Sequence, residues 1–376
     1  MSRSLFRHLL PLIAGTVVSI VLLYFVLKGD EVDKKFDELA LGGENTAVVG
    51  QVNKLKVHCH DFNDADECFR GYADSGKGND VVLWLGNSQL HVINQMLAGE
   101  ELSSVLLHKK LYLDNKYLLT FSQPNANLQE HYLLFESLSN SLPVSTLILP
   151  VVFDDLRDTG VRDGLRDAFD NEVKNSLQST KIGLQLIVAQ ADTDAAGNDM
   201  AALDDTVQEQ SEKYLNSLLA DYWEVWDQRP TLRGDIFGNL YFFRNWLFGI
   251  TPSSIRRVIP GRYALNMQAM KATLDSAQEQ GVQVLLYIVP LRNDVAIPYD
   301  LRQYEKFKSE VEAAAHGDHV KFIDAGDLVP AEFWGTKNST TIGSEQELDF
   351  MHFQASGHIL LTDKIFNELK ILWELN

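Results

Sequence analysis

The feature that most constrains this chain is a recurrence of short apolar runs separated by stretches of helical spacing. Residues 81–85 (Val-Val-Leu-Trp-Leu) are apolar without interruption and end at the turn signal Gly86-Asn87. Residues 116–121, 144–153 and 282–290 are further runs rich in Val, Ile, Leu, Phe and Tyr, and Val320-Lys-Phe-Ile-Asp-Ala325 reads as the last strand. A strand lacking polar alternation is one buried on both faces, as the strands of parallel sheets are. Helical spacing between these runs predicts helices over 128–139, 266–280 and 304–315, the second closed by Gly281. Alternating strand and helix predict an α/β fold, a parallel sheet flanked by helices.

Residues 89–97 follow the first run with Leu90, Ile93 and Leu97 on one helical face. A buried strand, a tight turn and a helix leave Ser88 at the carboxyl edge of the sheet, where open α/β sheets bind ligands. There the Ser88 N–H lies near the positive end of the helix and can hold a developing oxyanion. The hydroxyl alone is a poor nucleophile and needs a base. Asn-Ser before a helix is equally an ordinary N-cap, so the motif stands open on its own. Near the far end of the chain, Asp349 stands three residues before His352. In a helical turn that offset places both side chains on one side, so the carboxylate can orient the imidazole and stabilise its protonated form. A helix from about Ser356, with Ile359, Leu360, Ile365 and Leu369 inward, is predicted to fix this segment to the core. A satisfied surface or core histidine is the competing reading of His352.

Gly86-Asn-Ser88-Gln and Asp349-Phe-Met-His352 together resemble the first and last sequence blocks of the SGNH/GDSL hydrolase superfamily. The resemblance follows the order of elements over roughly residues 80–370 and is motif-specific only in these end blocks. It implies a flavodoxin-like α/β fold with Ser88 as nucleophile, His352 as general base and Asp349 as the residue orienting it. The aspartate usual before the serine is Asn87 here. Oxyanion donors from two intermediate blocks have no obvious counterpart, and Asn125 or Asn127, after the second strand, can stand in. The chemistry implied is acyl transfer on an ester, without a metal or other cofactor. The acceptor is an envelope polysaccharide or water, and a non-catalytic scaffold is the alternative outside enzymology. Single-pass anchored members of the family often partner multi-pass membrane-bound O-acyltransferases.

Residues 9–27, from Leu9 to Leu27, carry no charge and are mostly Leu, Ile, Val and Phe. At ~1.5 Å per residue they reach about 29 Å, close to the ~30 Å hydrocarbon core of a bilayer. Arg3 and Arg7 precede the run and Asp30, Glu31 and Asp33 follow it. The positive-inside rule then keeps the N-terminus in the cytoplasm and sends the rest outward, an inner-membrane signal-anchor with a periplasmic domain. A cleaved signal peptide is the rival, but no small-x-small site follows the run. Three parts are therefore expected: 1–28 with the anchor, 29–79 as linker, and 80–376 as the catalytic domain. Cys59 and Cys68, the sole cysteines, fall outside the cytoplasm on this reading and predict a local disulfide. A metal site with His58, His60, Asp61 and Asp64 competes, against the tighter Cys spacing usual for zinc. The formal net charge of −19 excludes a nucleic-acid partner, whose phosphates would repel the chain.

Residues 158–262 break the strand–helix pattern and are expected to form a helical insertion over the active-site edge. Within it, 161–176 read as an amphipathic helix and 189–202 as an acidic, small-residue loop. Residues 236–250, dense in aromatics, read as core or as an element lying on the bilayer or a membrane partner. The charges of 154–157 leave the third strand at the same edge as Ser88, as pocket lining or a solvated loop. Arg292, just past the fourth strand, is a candidate to hold an anionic or polysaccharide substrate. Residues 333–346 are expected to be a loop delivering the chain to Asp349.

Overall fold

The computed structural model describes residues 50–59, 62, 65–76, 80–201, 253–338 and 346–374. Their centre is a seven-stranded sheet with the strands β1 (Gly50–Val52), β2 (Leu55–Cys59), β3 (Val81–Gly86), β4 (Tyr117–Ser122), β5 (Val144–Val151), β6 (Gln283–Ile288) and β7 (Val320–Asp324). The spatial order is β1-β2-β4-β3-β5-β6-β7, parallel throughout except for the β1–β2 hairpin. From β3 onward the five predicted strands are present within a residue or two of their expected ends. Their order β4-β3-β5-β6-β7 is compatible with a flavodoxin-like arrangement, in which the chain reverses direction across the sheet between β3 and β5.

Alternation along the central strands explains why both faces are covered. Val81, Leu83, Leu85, Leu147, Leu149, Val284 and Leu286 enter one core, while Val82, Trp84, Ile148, Leu285 and Tyr287 enter the other. The first core is closed by α1 (Ala65–Asp74), α4 (Leu128–Ser141), α7 (Pro260–Glu279) and α8 (Leu301–Ala314); the second by α3 (Ser103–Leu113) and α9 (Ala355–Glu374). On α9 the inward residues are His358, Leu361, Thr362, Ile365, Leu369 and Leu372, whereas Ile359 is exposed and Leu360 half-buried. The inward face is thus displaced around the helix from the expected one at its first turns.

Pairing between β3 and β5 ends at Trp84–Ile148, while β5 continues against β6 to Val151. Pro150, which has no N–H to donate, lies in the part of β5 paired on one side only. The carboxyl ends of β3 and β5 therefore separate where the strand order reverses, and the segments after them flank that opening.

Four expected elements differ. The helix predicted over 89–97 is a single turn, α2 (Ser88–His91), followed by extended backbone at Val92. Asn94 is held by tertiary partners there, its N–H donating to Phe353 O at 3.0 Å, so the local helical preference loses. The helix expected over 161–176 is a 3₁₀ segment, Asp163–Ala168, then α5 (Asn171–Leu177), which Asp170 caps. The loop expected over 189–202 is largely the end of α6 (Lys181–Ala201), because small residues such as Ala permit helix as readily as loop. Within the loop expected over 333–346, Trp334–Asn338 form β8, which pairs with β9 (Gln346–Phe353). α5 and α6 pack beside α4 and α7 on one face of the sheet. Residues 9–27, 236–250, His60, Asp61 and Asp64 lie outside the described residues. Among the described residues no helix is long and apolar enough to cross a membrane.

Candidate active site

β3 delivers the chain to Gly86, which lies in register with Ser122 of β4. A Cβ at Gly86 would stand 2.5 Å from the Leu90 side chain and 3.1 Å from Ser122 Cβ, so a larger residue here would have to displace Leu90. Asn87 is extended, and its Oδ1 accepts the Gln89 N–H at 3.0 Å, closing the turn that begins at Ser88. Ser88 is buried but for 8 % of its surface. The neighbouring Gln89 fixes the turn to the rest of the sheet's edge. Its Nε2 donates to Pro290 O at 2.9 Å and to Met351 O at 2.8 Å. The serine turn thereby rests on β9, the strand that carries Asp349 and His352.

Asp349 and His352 do meet, though on an extended segment rather than in a helix. Residues three apart on a regular strand point to opposite faces. Here Asp349 Oδ1 accepts the N–H groups of Met351 and His352, each at 3.0 Å, and this local turn brings the imidazole round. His352 Nδ1 lies 2.9 Å from Asp349 Oδ2. A proton on Nδ1 satisfies the carboxylate and leaves Nε2 with a free lone pair, the tautomer a general base requires. His352 Nε2 is buried and has no hydrogen-bond partner among the described residues, the Ser88 hydroxyl included. Burial pushes the Asp349 carboxyl up, but the adjacent His352, its hydrogen bonds and the nearby Lys337 outweigh it. The group is held well below the usual carboxylate range and stays ionised.

Asn94 is a further member that sequence reasoning missed. Its Nδ2 donates to Asp349 Oδ2 at 3.0 Å while its backbone N–H holds Phe353 O. Asn94 and the two backbone N–H groups together fix the aspartate behind the histidine. Gly335 on β8 packs so closely on Asn94 and Gln95 that a Cβ there would overlap both side chains. A polar residue beside Val92-Ile93 was the available signal for Asn94. Its partner, 255 positions away, was not.

The other predicted residues are occupied differently. Asn127 is the N-cap of α4: its Oδ1 accepts from Gln129 and Glu130 N–H and its Nδ2 donates to Gly160 O at 3.0 Å. Both ends of that amide serve the helix start and the following loop. Asn125 is exposed in a turn with φ of 54°. Arg292 is buried, forked onto Asp294 at 2.7 and 3.0 Å with its third nitrogen on Gly335 O at 2.9 Å. It braces the loop after β6 against β8, and that hydrogen bonding leaves it no fork for a substrate anion. Cys59 and Cys68 form the predicted disulfide, joining β2 to α1. His58, offered as a metal ligand, has Nδ1 2.6 Å from Ser104 Oγ and Nε2 2.5 Å from Ser122 Oγ.

Asp155, just past β5, brings a carboxyl group to the same edge. Asn87 Nδ2 donates to its Oδ2 at 2.8 Å. Burial raises the Asp155 group to about 8; the Asn87 hydrogen bond and Arg162 oppose that rise, while Asp154 and Glu130 reinforce it. Two other histidines near the edge are held neutral by burial: His131, lowered to about 4, under Gly86 O, and His358, lowered to about 3, between Ser103 and Val92 O.

Models of known protein families and curated proteins contain no match to this sequence.

Proposed function

We propose that the chain is a serine acyltransferase or esterase with an SGNH-like site, acting on ester-linked acyl groups of a cell-envelope polysaccharide. The observation that carries this reading is the His352–Asp349 pair. Its imidazole is oriented through Nδ1 and its bare Nε2 lies on a strand stitched to the Ser88 turn by Gln89. Sequence motifs at the two ends of the domain support it, as does the position of the serine where the strand order reverses.

His352 Nε2 takes the Ser88 Oγ proton as the oxygen attacks the acyl carbonyl. The Ser88 N–H stands at the head of its turn to receive the oxyanion. Collapse breaks the ester bond, and the departing alkoxide takes the proton from His352, leaving acyl-Ser88. An acceptor hydroxyl, from a sugar or from water, then loses its proton to His352 and attacks the acyl carbon; the bond to Ser88 Oγ breaks and that oxygen takes the proton back from His352. Asp349 remains ionised throughout and stabilises the imidazolium. Transfer to a sugar is favoured by the apolar run at residues 9–27, which would hold the domain at the inner membrane, within reach of a multi-pass acyltransferase. A non-catalytic scaffold is the second reading, favoured by the lack of a Ser88–His352 hydrogen bond.

Labelling with a serine-reactive fluorophosphonate separates the two. The wild-type protein is expected to label and Ser88→Ala to lose all labelling; an unlabelled wild type would leave the scaffold reading. Acyl transfer from nitrophenyl acetate to a glycan hydroxyl, rather than release of free acetate alone, distinguishes transferase from esterase.

A further inference from the structure

The side chain of Asn87 is used at both ends. Its Oδ1 accepts Gln89 N–H at 3.0 Å, and its Nδ2 donates to Asp155 Oδ2 at 2.8 Å. Rotating the amide by half a turn would aim its NH₂ at the Gln89 N–H and its oxygen at the Asp155 carboxyl. The Gln89 contact would then be donor against donor at any pH, and the Asp155 contact acceptor against acceptor wherever the carboxyl is ionised. Asp155 therefore sets which way the Asn87 amide points, and so whether the first turn at Ser88 is closed. An aspartate at position 87 would set two carboxyl groups face to face, an arrangement that holds only while a proton is shared between them.

We propose that Asp155 is a positioning residue for Ser88, acting through Asn87, and that its carboxyl group is the reason position 87 is asparagine in this chain. The inference rests on the reading of Ser88 as nucleophile and extends it to a residue from the neighbouring strand. The surroundings of Asp155 fit such a role. Glu130 on α4 is paired with Arg162, and Asp154 with Arg256 and Arg157. His131 on α4 faces Gly86 O. Asp155 has no ion pair among the described residues, and the Asn87 amide is its side-chain hydrogen bond. Its position past the separated end of β5, opposite the end of β3, is what brings it to Asn87.

The test is an exchange of the two groups, read by the rate of fluorophosphonate labelling between pH 5 and 9 and by melting temperature. Asp155→Ala is expected to label about 10- to 100-fold more slowly than wild type, the scale of loss when a reacting group is displaced. Asn87→Asp is expected to be similarly slow above about pH 8, where both facing carboxyls are ionised. Measured against wild type at each pH, it should recover as pH falls through about 8, below which the facing carboxyls share a proton. The exchange Asn87→Asp with Asp155→Asn is expected to restore the rate to within a few-fold. In that double variant the amide has moved to the β5 side and donates to the carboxylate on the β3 side, whose second oxygen still accepts Gln89 N–H. A merely structural role would lower melting temperatures without the rate following the exchange. Wild-type labelling by Asp155→Ala, or an exchange no faster than Asn87→Asp alone at pH 9, overturns the inference and leaves Ser88 as nucleophile. A wild type that labels no better than Ser88→Ala overturns both. If Asp155→Ala fails to fold, the Asn87→Asp and exchanged variants decide the matter.

Discussion

The buried ionisable residues around Ser88 give stability a pH dependence with opposing limbs. His358 and His131 have folded values near 3 and 4, below the ordinary 6.5, so the folded protein binds fewer protons than the unfolded chain in that window. The stability they contribute is present above pH 6.5 and is lost as pH falls towards 3. Asp155 works in the other direction: its value near 8 means stability present below about 4 and lost as pH rises through 8. Melting temperature is therefore expected to fall on both sides of a near-neutral optimum. Asp155→Asn should flatten the alkaline limb, and thermal melts from about pH 4 to 9 measure both effects. An unchanged alkaline limb would mean that Asp155 is not the group responsible. Ser88, His352 and Asp349 were legible as candidates because the chemistry each can do is written in side-chain type and local order. What holds them was not. Asp349 depends on Asn94 and on two backbone N–H groups, and the histidine's usable tautomer depends on that same carboxylate.

At the scale of elements, strands were read closely and local helices less so. Continuous apolar runs leave few alternatives to a buried strand, and β3 to β7 appear where Val, Ile and Leu predicted them. Residues 89–97 failed as a helix because Asn94 is drawn off by β9, a competitor no local pattern reveals. The β1–β2 hairpin and α1 had no comparable signal beyond the two cysteines. Their disulfide joins a strand of the sheet to a helix packed on it, with both sulfur-bearing residues fully buried. Closing a loop with a sequence separation of 9 removes freedom mainly from the unfolded chain, worth ~2–3 kcal/mol. Cys59→Ser with Cys68→Ser is expected to lower unfolding free energy by about that amount in denaturant titrations. A double variant as stable as the parent would show that the covalent link adds nothing to this edge.

At the scale of the whole molecule, composition and topology bear on where the chain works. The Cys59–Cys68 disulfide is one ground for proposing an oxidising compartment outside the cytoplasm. The apolar run at 9–27, with arginines before it and acids after it, is the other ground for that proposal. An alkaline phosphatase fused after residue 40 is expected to be active in cells and a β-galactosidase at the same point inactive. The reverse pattern would place the domain on the other side of the membrane.

Taken alone, the sequence determined the alternation of strand and helix, the disulfide partners and the residue types at the two ends of the domain. Each of these follows from hydrophobic periodicity, cysteine count or local order, properties that act over a few residues. Only the tertiary structure decided that Asn127 caps a helix, that Arg292 braces a loop, and that Asn94 and Asp155 converge on the site. A hydrogen bond is settled by which groups the sheet's strand order brings within about 3 Å of one another. That order, with β3 beside β5 and the far end of the chain folded back over the serine turn, is a property of the packed core and of no single stretch.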